Sequence, residues 1–150
     1  MQSENINFHI YTPTALASEA DQNRIVDFLF KHLDQYGDKR ADISKCFDFS
    51  MQRGQTLGGY VIEMQDGDKI IGATIINKTG MDGYIPENIL VYIATHHDYR
   101  GKGLGKQLMQ IAIKTVEGAI ALHVEPDNPA KFLYEKLGFT NKYLEMRLQK

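Results

Sequence analysis

The chain has 150 residues, 43% of them hydrophobic and 24% charged, which suits one compact domain and excludes low-complexity or disordered sequence. Seventeen Lys and Arg against nineteen Asp and Glu leave a net charge of −2, which argues against a general nucleic-acid binder. A single cysteine, Cys46, excludes an intrachain disulfide framework and a cysteine-cluster zinc site, and no apolar run reaches the ~20 residues of a membrane helix. Met1-Gln2-Ser3-Glu4-Asn5 lacks the basic and apolar regions of a secretory leader. The expectation is one soluble, cytoplasmic domain over residues 1–150, with no nucleic acid and no membrane as partner.

The charge is unevenly spread. Residues 1–99 carry eight basic and fourteen acidic side chains, a balance of −6, while residues 100–150 carry nine and five, a balance of +4. The first region suits a cation and the second an anion.

Along the chain, Ile6–Tyr11 alternates like a strand. Ser18 offers an N-cap, and Ile25, Phe28, Leu29, Leu33 and Tyr36 follow at helical spacing until Gly37. A second short helix is predicted around Ile43–Gln52. Gly58-Gly59 then opens a hairpin made of Tyr60–Gln65, a turn at Asp66-Gly67-Asp68, and Lys69–Asn77. After a loop comes Ile89–Thr95, apolar almost throughout, as a strand covered on both faces would be. Gly103–Glu117 is an amphipathic helix, and Ala119–Val124 is another buried-type strand. Asn128 caps a helix that starts at Pro129 and ends at Gly138. Phe139 to Leu148 reads as a final strand. The order β, α, α, β, β, β, α, β, α, β indicates a mixed sheet with helices on both faces.

The most informative stretch is Arg100-Gly101-Lys102-Gly103-Leu104-Gly105-Lys106, between a buried strand and a helix. Glycines let consecutive backbone N–H groups turn toward one anion, the helix N-terminus adds its positive end, and three cations add full charge. A Walker A loop fails at Arg100 and Gln107, and a dinucleotide fingerprint fails on glycine spacing. The pattern [RQ]-x-x-G-x-[GA] is matched by Arg100, Gly103 and Gly105.

In these residues, and again in Asn128-Pro129-Ala130-Lys131-Phe132-Leu133-Tyr134-Glu135-Lys136-Leu137-Gly138-Phe139, the chain resembles the GCN5-related N-acetyltransferase superfamily. The resemblance implies an α+β fold, a single-domain αβα sandwich with a mixed, largely antiparallel sheet of the acyl-CoA N-acyltransferase type. It implies an acetyl-CoA-dependent N-acetyltransferase acting on a primary amine (a small molecule, a peptide N-terminus or a lysine) by direct attack. The alternative is a CoA-binding sensor that keeps the pocket without the chemistry.

By the same resemblance, the backbone of Ile93, Ala94 and Thr95 pairs with the pantetheine arm. Gly101, Gly103, Leu104 and Gly105 hold the pyrophosphate by main-chain amides, with Arg100, Lys102 and Lys106 adding charge. Tyr134 protonates the departing thiolate. Helical periodicity by itself places Tyr134 in the core, with Ala130, Leu133 and Leu137. Asn128 is a helix cap first and a cofactor contact second, and Asp127 competes with it for the cofactor-facing position. No metal site is implied.

The general base is left open, because Ile89 and Val91 fill the strand positions where the family often has Glu or His; Glu87, Tyr92 and Glu145 are the candidates on this chain. His96 and His97, read as adjacent residues on an extended chain, point to opposite sides. His123 reads as a packed strand residue and Cys46 as a core residue. Tyr36, Phe47, Phe49, Met51 and Tyr84 could wall the acceptor site. The short segment after Phe139 leaves an edge open for a homodimer.

Overall fold

The computed structural model describes residues 5–150. The stretch read as lacking a leader falls largely outside them, at residues 1–4. Five strands form one sheet in chain order: β1 (Ile6–Tyr11), β2 (Gly59–Asp66), β3 (Lys69–Lys78), β4 (Asn88–Thr95) and β5 (Ile120–Leu122). The first three pairings are antiparallel and β4–β5 is parallel. That single parallel step follows from its connection, which crosses over through a helix rather than a tight turn.

The helices are α1 (Glu19–His32), α2 (Arg40–Ser50), α3 (Leu104–Thr115) and α4 (Ala130–Lys136). On one face, Ile25, Val26, Leu29, Ile43 and Phe47 of α1 and α2 pack on Val61, Ala73, Ile75, Tyr92 and Ala94. On the other, Leu104, Leu108, Met109 and Ala112 of α3 and Tyr134 of α4 cover Ile62, Met64, Ile71, Ile76 and Leu90. Each such fully buried aliphatic side chain contributes ~1.5–3 kcal/mol of transfer free energy. The two-sided cover is why β4 reads as a nearly unbroken apolar run. One charge enters this core: Glu63 of β2 is fully buried, paired with Arg24 of α1 and accepting from Tyr11 Oη at 3.1 Å and Gln65 Nε2 at 3.1 Å. No helix among the described residues is long and apolar enough to cross a membrane.

The αβα layering and the mixed, mainly antiparallel sheet are as the sequence suggests, but three local readings change. Ser18 does cap α1, its Oγ accepting from the Asp21 amide at 3.0 Å. The helix nevertheless stops at Leu33, because Asp34 adopts φ 54 and a 3-10 turn over Asp34–Tyr36 carries the chain to Gly37. β5 keeps only three residues of the predicted six. Phe139 to Leu148 forms no strand: Leu144, Met146 and Leu148 do alternate, yet they are 83%, 88% and 84% exposed and sit in no ladder. A period of two is a strand's requirement for one face, but the strand itself exists only with a hydrogen-bonded neighbour.

Gly59 marks a backbone approach that no side chain tolerates. A Cβ there would fall onto the Ile76 carbonyl oxygen and lie 2.6 Å from Asn77 Oδ1 and 2.8 Å from Asn77 Cα. Gly59→Ala is expected to lower stability by about 2 kcal/mol or more, read as a reduced urea midpoint with an unchanged slope.

Candidate active site

The site begins with a defect in the sheet. β4 pairs with β5 only through Asn88, Ile89 and Leu90, opposite Ile120, Ala121 and Leu122. On its other side it stays paired with β3 as far as Thr95, with a register shift between Ile75 and Ile76. Because Ile75 faces Tyr92 while Ile76 faces Leu90, Val91 is the extra, bulged residue, and it is 38% exposed. The bulge and the parting of β4 from β5 therefore coincide. Beyond it, residues 91–95, including Ile93, Ala94 and Thr95, have a strand neighbour on one side only among the described residues. An open row of backbone donors and acceptors in a central strand invites an extended ligand to take the missing place.

The open row leads to a glycine-rich turn. After β4 a 3-10 turn over His97–Tyr99 delivers Arg100, and Gly101 and Gly103 take left-handed conformations with φ 80 and 77. A Cβ on either would meet nothing within 4 Å, so the surface above them is open and only the backbone conformation demands glycine. α3 starts at Leu104 with no side-chain cap, so its first-turn amides have no partner from a capping side chain. Gly105 lets α4 come close, since a Cβ there would lie 3.4 Å from Leu133 Cδ2. Lys102 and Lys106 are exposed beside this turn, the Lys102 ammonium 5.1 Å from the Tyr99 ring centroid. The arrangement fits a phosphate-bearing group at the end of an extended arm.

Arg100 is used differently from its two lysine neighbours. Its guanidinium donates to the His32 carbonyl at 2.6 Å and to Asp34 Oδ2 at 3.4 Å, tying the loop to the end of α1. Asp34 Oδ2 also lies 2.9 Å from His97 Nε2, and these partners, the His97 hydrogen bond first, hold its carboxyl below the usual range. His96 and His97 do not diverge as extended-chain geometry suggests. The turn that begins at His97 brings both rings onto His32, with centroids 4.3 and 4.5 Å away. His32 is 3% exposed, and its Nδ1 accepts from the His97 amide at 3.2 Å. Burial first, then the neighbouring His96 and His97, pushes its pKa down to about 4.

Tyr134 is buried on the α3–α4 face beside Leu90, with Phe139 edge-on at 6.0 Å. Burial raises its pKa to about 12. Its hydroxyl makes no protein hydrogen bond among the described residues, yet no buried side-chain oxygen there lacks a partner, so the hydroxyl opens to solvent. Asn128 Oδ1 accepts from the Ala130 amide at 2.9 Å, and α4 begins at Ala130, one residue later than the sequence suggests, with Pro129 in the N-cap position. Asp127 is exposed and its carbonyl accepts from Tyr36 Oη at 3.5 Å.

Of the open base candidates, Glu87 accepts from the Ala119 amide at 3.2 Å near the start of β4, and Glu145 pairs with Arg147. Tyr92 donates to Asp38 Oδ2 at 2.5 Å. Phe47 and Met51 are core rather than pocket wall, and Tyr84 is 77% exposed. Cys46 is a core thiol, pushed up to about 12 mainly by burial. His123 lies past the end of β5, more than half exposed and 3.8 Å from Glu145. Asp34 and Asp38 escaped the sequence reading, since nothing local distinguishes them from other surface acids. The one visible hint was Tyr92 inside an otherwise apolar strand.

Residues 56–141 match the family model described as acetyltransferase (GNAT) domain. Over 85 residues the chain is 38% identical to a mycothiol acetyltransferase of Corynebacterium efficiens, covering 53% of this chain and 27% of that protein. The chain thus spans about a quarter of the length of this curated relative. Among solved structures, a possible acetyltransferase from Clostridium difficile 630 shares the fold with a TM-score of 0.68 at 18% identity, covering 98% of each chain. The aminoglycoside N-acetyltransferase AAC(6')-Iy in complex with CoA has a TM-score of 0.68 at 16% identity, covering 100% of this chain and 99% of that one.

The depressed His32 pKa has a consequence for stability. Between about 4 and the ordinary 6.5, the unfolded chain binds a proton at this position that the folded chain refuses. Its contribution is therefore complete above pH 6.5 and is lost as the pH falls through that window. Thermal unfolding of the native chain is expected to show a falling Tm from pH 6.5 to 4, and His32→Phe a shallower dependence over the same range.

Proposed function

The chain belongs to the GNAT acetyltransferase family, and we propose that it transfers the acetyl group of acetyl-CoA to a primary amine by direct attack. The observation that carries this reading is the coincidence of the Val91 bulge with the parting of β4 from β5, continuous with the glycine-turned start of α3. The open edge and the open anion turn fit an extended arm ending in phosphates. Acetyl-CoA, when bound, supplies an activated acyl group as a thioester.

The residues of the chain divide the work. Main-chain groups of Ile93, Ala94 and Thr95 take the pantetheine arm as an added strand. Amides of residues 101–106 take the pyrophosphate, with Lys102 and Lys106 as flexible counter-charges. Arg100 braces the loop against α1 and contributes field rather than contact. A backbone N–H at the bulge faces the position where negative charge develops, a placement worth on the order of 10²–10³ in rate where one such donor has been removed from other enzymes. Tyr134 Oη would deliver a proton to the departing sulfur and regain one from solvent, to which the attacking amine releases its surplus proton. Its raised pKa keeps it protonated, and the absence of a protein acceptor among the described residues leaves that proton uncommitted. Asn128 holds the start of α4, and so the position of Tyr134, by its bond to the Ala130 amide.

Calorimetry with acetyl-CoA and with ATP, followed by a thiol-release screen over simple amines, polyamines, aminoglycosides and N-terminal peptides, tests the reading. Binding of acetyl-CoA in preference to ATP and release of CoA thiol with at least one amine are expected; tight ATP binding without CoA binding overturns it. Tyr134→Phe should lower kcat by on the order of 10²-fold or more while the acetyl-CoA dissociation constant moves by no more than about twofold. Full turnover of that variant at every pH would remove Tyr134 as the acid.

A further inference from the structure

Tyr92 stands one residue past the Val91 bulge, on the sheet face covered by α1 and α2. It is 7% exposed, yet its phenol ends at an exposed carboxylate, the Oη–Asp38 Oδ2 hydrogen bond of 2.5 Å. A buried phenol needs a partner for its hydroxyl, and here the partner is a loop residue, so the packed ring fixes where that carboxylate lies. Burial first, then the bond to Asp38, raises the Tyr92 pKa, and the phenol can only donate. It occupies one oxygen of Asp38.

Asp38 makes no further hydrogen bond and no ion pair within 4 Å among the described residues. Arg147 feels its charge from a distance, but the Arg147 guanidinium is paired with Glu145. Asp42 of α2 adds negative potential at the same phenol, and the Cys46 thiol stays neutral beside it. Two residues before Asp38, Tyr36 donates to the Asp127 carbonyl, which ties this stretch to the connection between β5 and α4 and sets it alongside the opening of the sheet. The carboxylate therefore sits one tyrosine's length from the strand position next to the bulge. A second charge on a molecule whose amine attacks at the bulge has that length to span.

We propose that Asp38, positioned by Tyr92, anchors a second cationic group of the acceptor, so that the preferred acceptors are diamines or larger polyamines whose far ammonium reaches Asp38 while the near amine is acetylated. This rests on the acetyl-transfer reading above. It follows that one oxygen of Asp38 and the charge of the far ammonium form a charge-assisted hydrogen bond, while the other oxygen keeps its bond to Tyr92.

Steady-state kinetics with putrescine and cadaverine against butylamine and pentylamine test it. The native chain should favour each diamine over its monoamine in kcat/KM, through KM, and added salt should shrink that preference. Asp38→Asn should reduce the diamine-to-monoamine ratio on the order of tenfold, and Tyr92→Phe should reduce it less but in the same direction. Acetyl-CoA binding and the thermal midpoint of each variant report that the fold and cofactor site persist. A native chain that acetylates amines without preferring diamines, or a preference that Asp38→Asn leaves intact, overturns the anchor and leaves acetyl transfer standing. A chain that binds acetyl-CoA and acetylates no amine overturns both.

Discussion

The row of backbone groups on β4 beyond Leu90 is the constraint from which the rest follows. A strand in the middle of a sheet satisfies its amides and carbonyls on both sides, and leaving one side bare in a dry interior is costly. Here β5 pairs with only three residues of β4, and the bulge at Val91 turns the strand at the point where they separate. The sheet remains intact because β3 holds β4 through Thr95 on the other side. A fold built this way has a slot for one more strand, and an extended arm of amide and thioester groups is a chemical match for it. Everything else in the site is arranged along that slot: the anion turn at one end, the bulge at the other, a tyrosine on each face of the strand.

The two poles of charge visible in the sequence correspond to different physical devices. Three cations of the basic region interleave the glycine turn, where Gly101 and Gly103 take left-handed conformations and Lys102 and Lys106 stand exposed. Arg100 belongs to the same run in sequence but to another role in space, since Asp34 and the His32 carbonyl claim its guanidinium. The acidic region splits as well. Asp34 is consumed in that brace, Asp48 accepts from Gln22 Nε2 at 2.7 Å, and Glu63 is consumed in the core. Asp38 keeps an oxygen for other company. A net balance over a hundred residues cannot separate these cases, because each depends on the partner brought up by folding.

Much of the fold was legible because its signals are local. Two apolar faces at helical spacing, an unbroken apolar strand, a hairpin turn and the glycine run each need only a dozen residues of context, and each appears where the pattern places it. The family motifs nominated candidate site residues on β4, α3 and α4. The failures share a cause of the opposite kind. Phe139 to Leu148 alternates like a strand but finds no edge to pair with. His96 and His97 were read on an extended chain, whereas the turn at His97 folds both rings onto His32, which is more than sixty positions earlier. Tyr92 and Asp38 are 54 positions apart and meet only because α1, the 3-10 turn and the start of α2 lay that loop against the end of the phenol. No periodicity within a window encodes such a pairing.

The two tyrosines that flank the open strand show how one fold gives the same side chain opposite surroundings. Both are buried, and burial raises both pKa values, so neither is a base near neutral pH. Tyr92 has an acceptor within 2.5 Å, so its proton is spent in a fixed bond and its contribution is placement. Tyr134 has no protein acceptor among the described residues, so its proton is free for a basic atom that approaches from the other face. A phenol with a committed proton cannot act as the acid without first breaking a bond to a carboxylate, which is among the stronger hydrogen bonds a protein makes. An uncommitted one pays no such toll. The difference lies wholly in the neighbours, Asp38 on one side and solvent on the other, so only the packing around them separates a committed phenol proton from an uncommitted one.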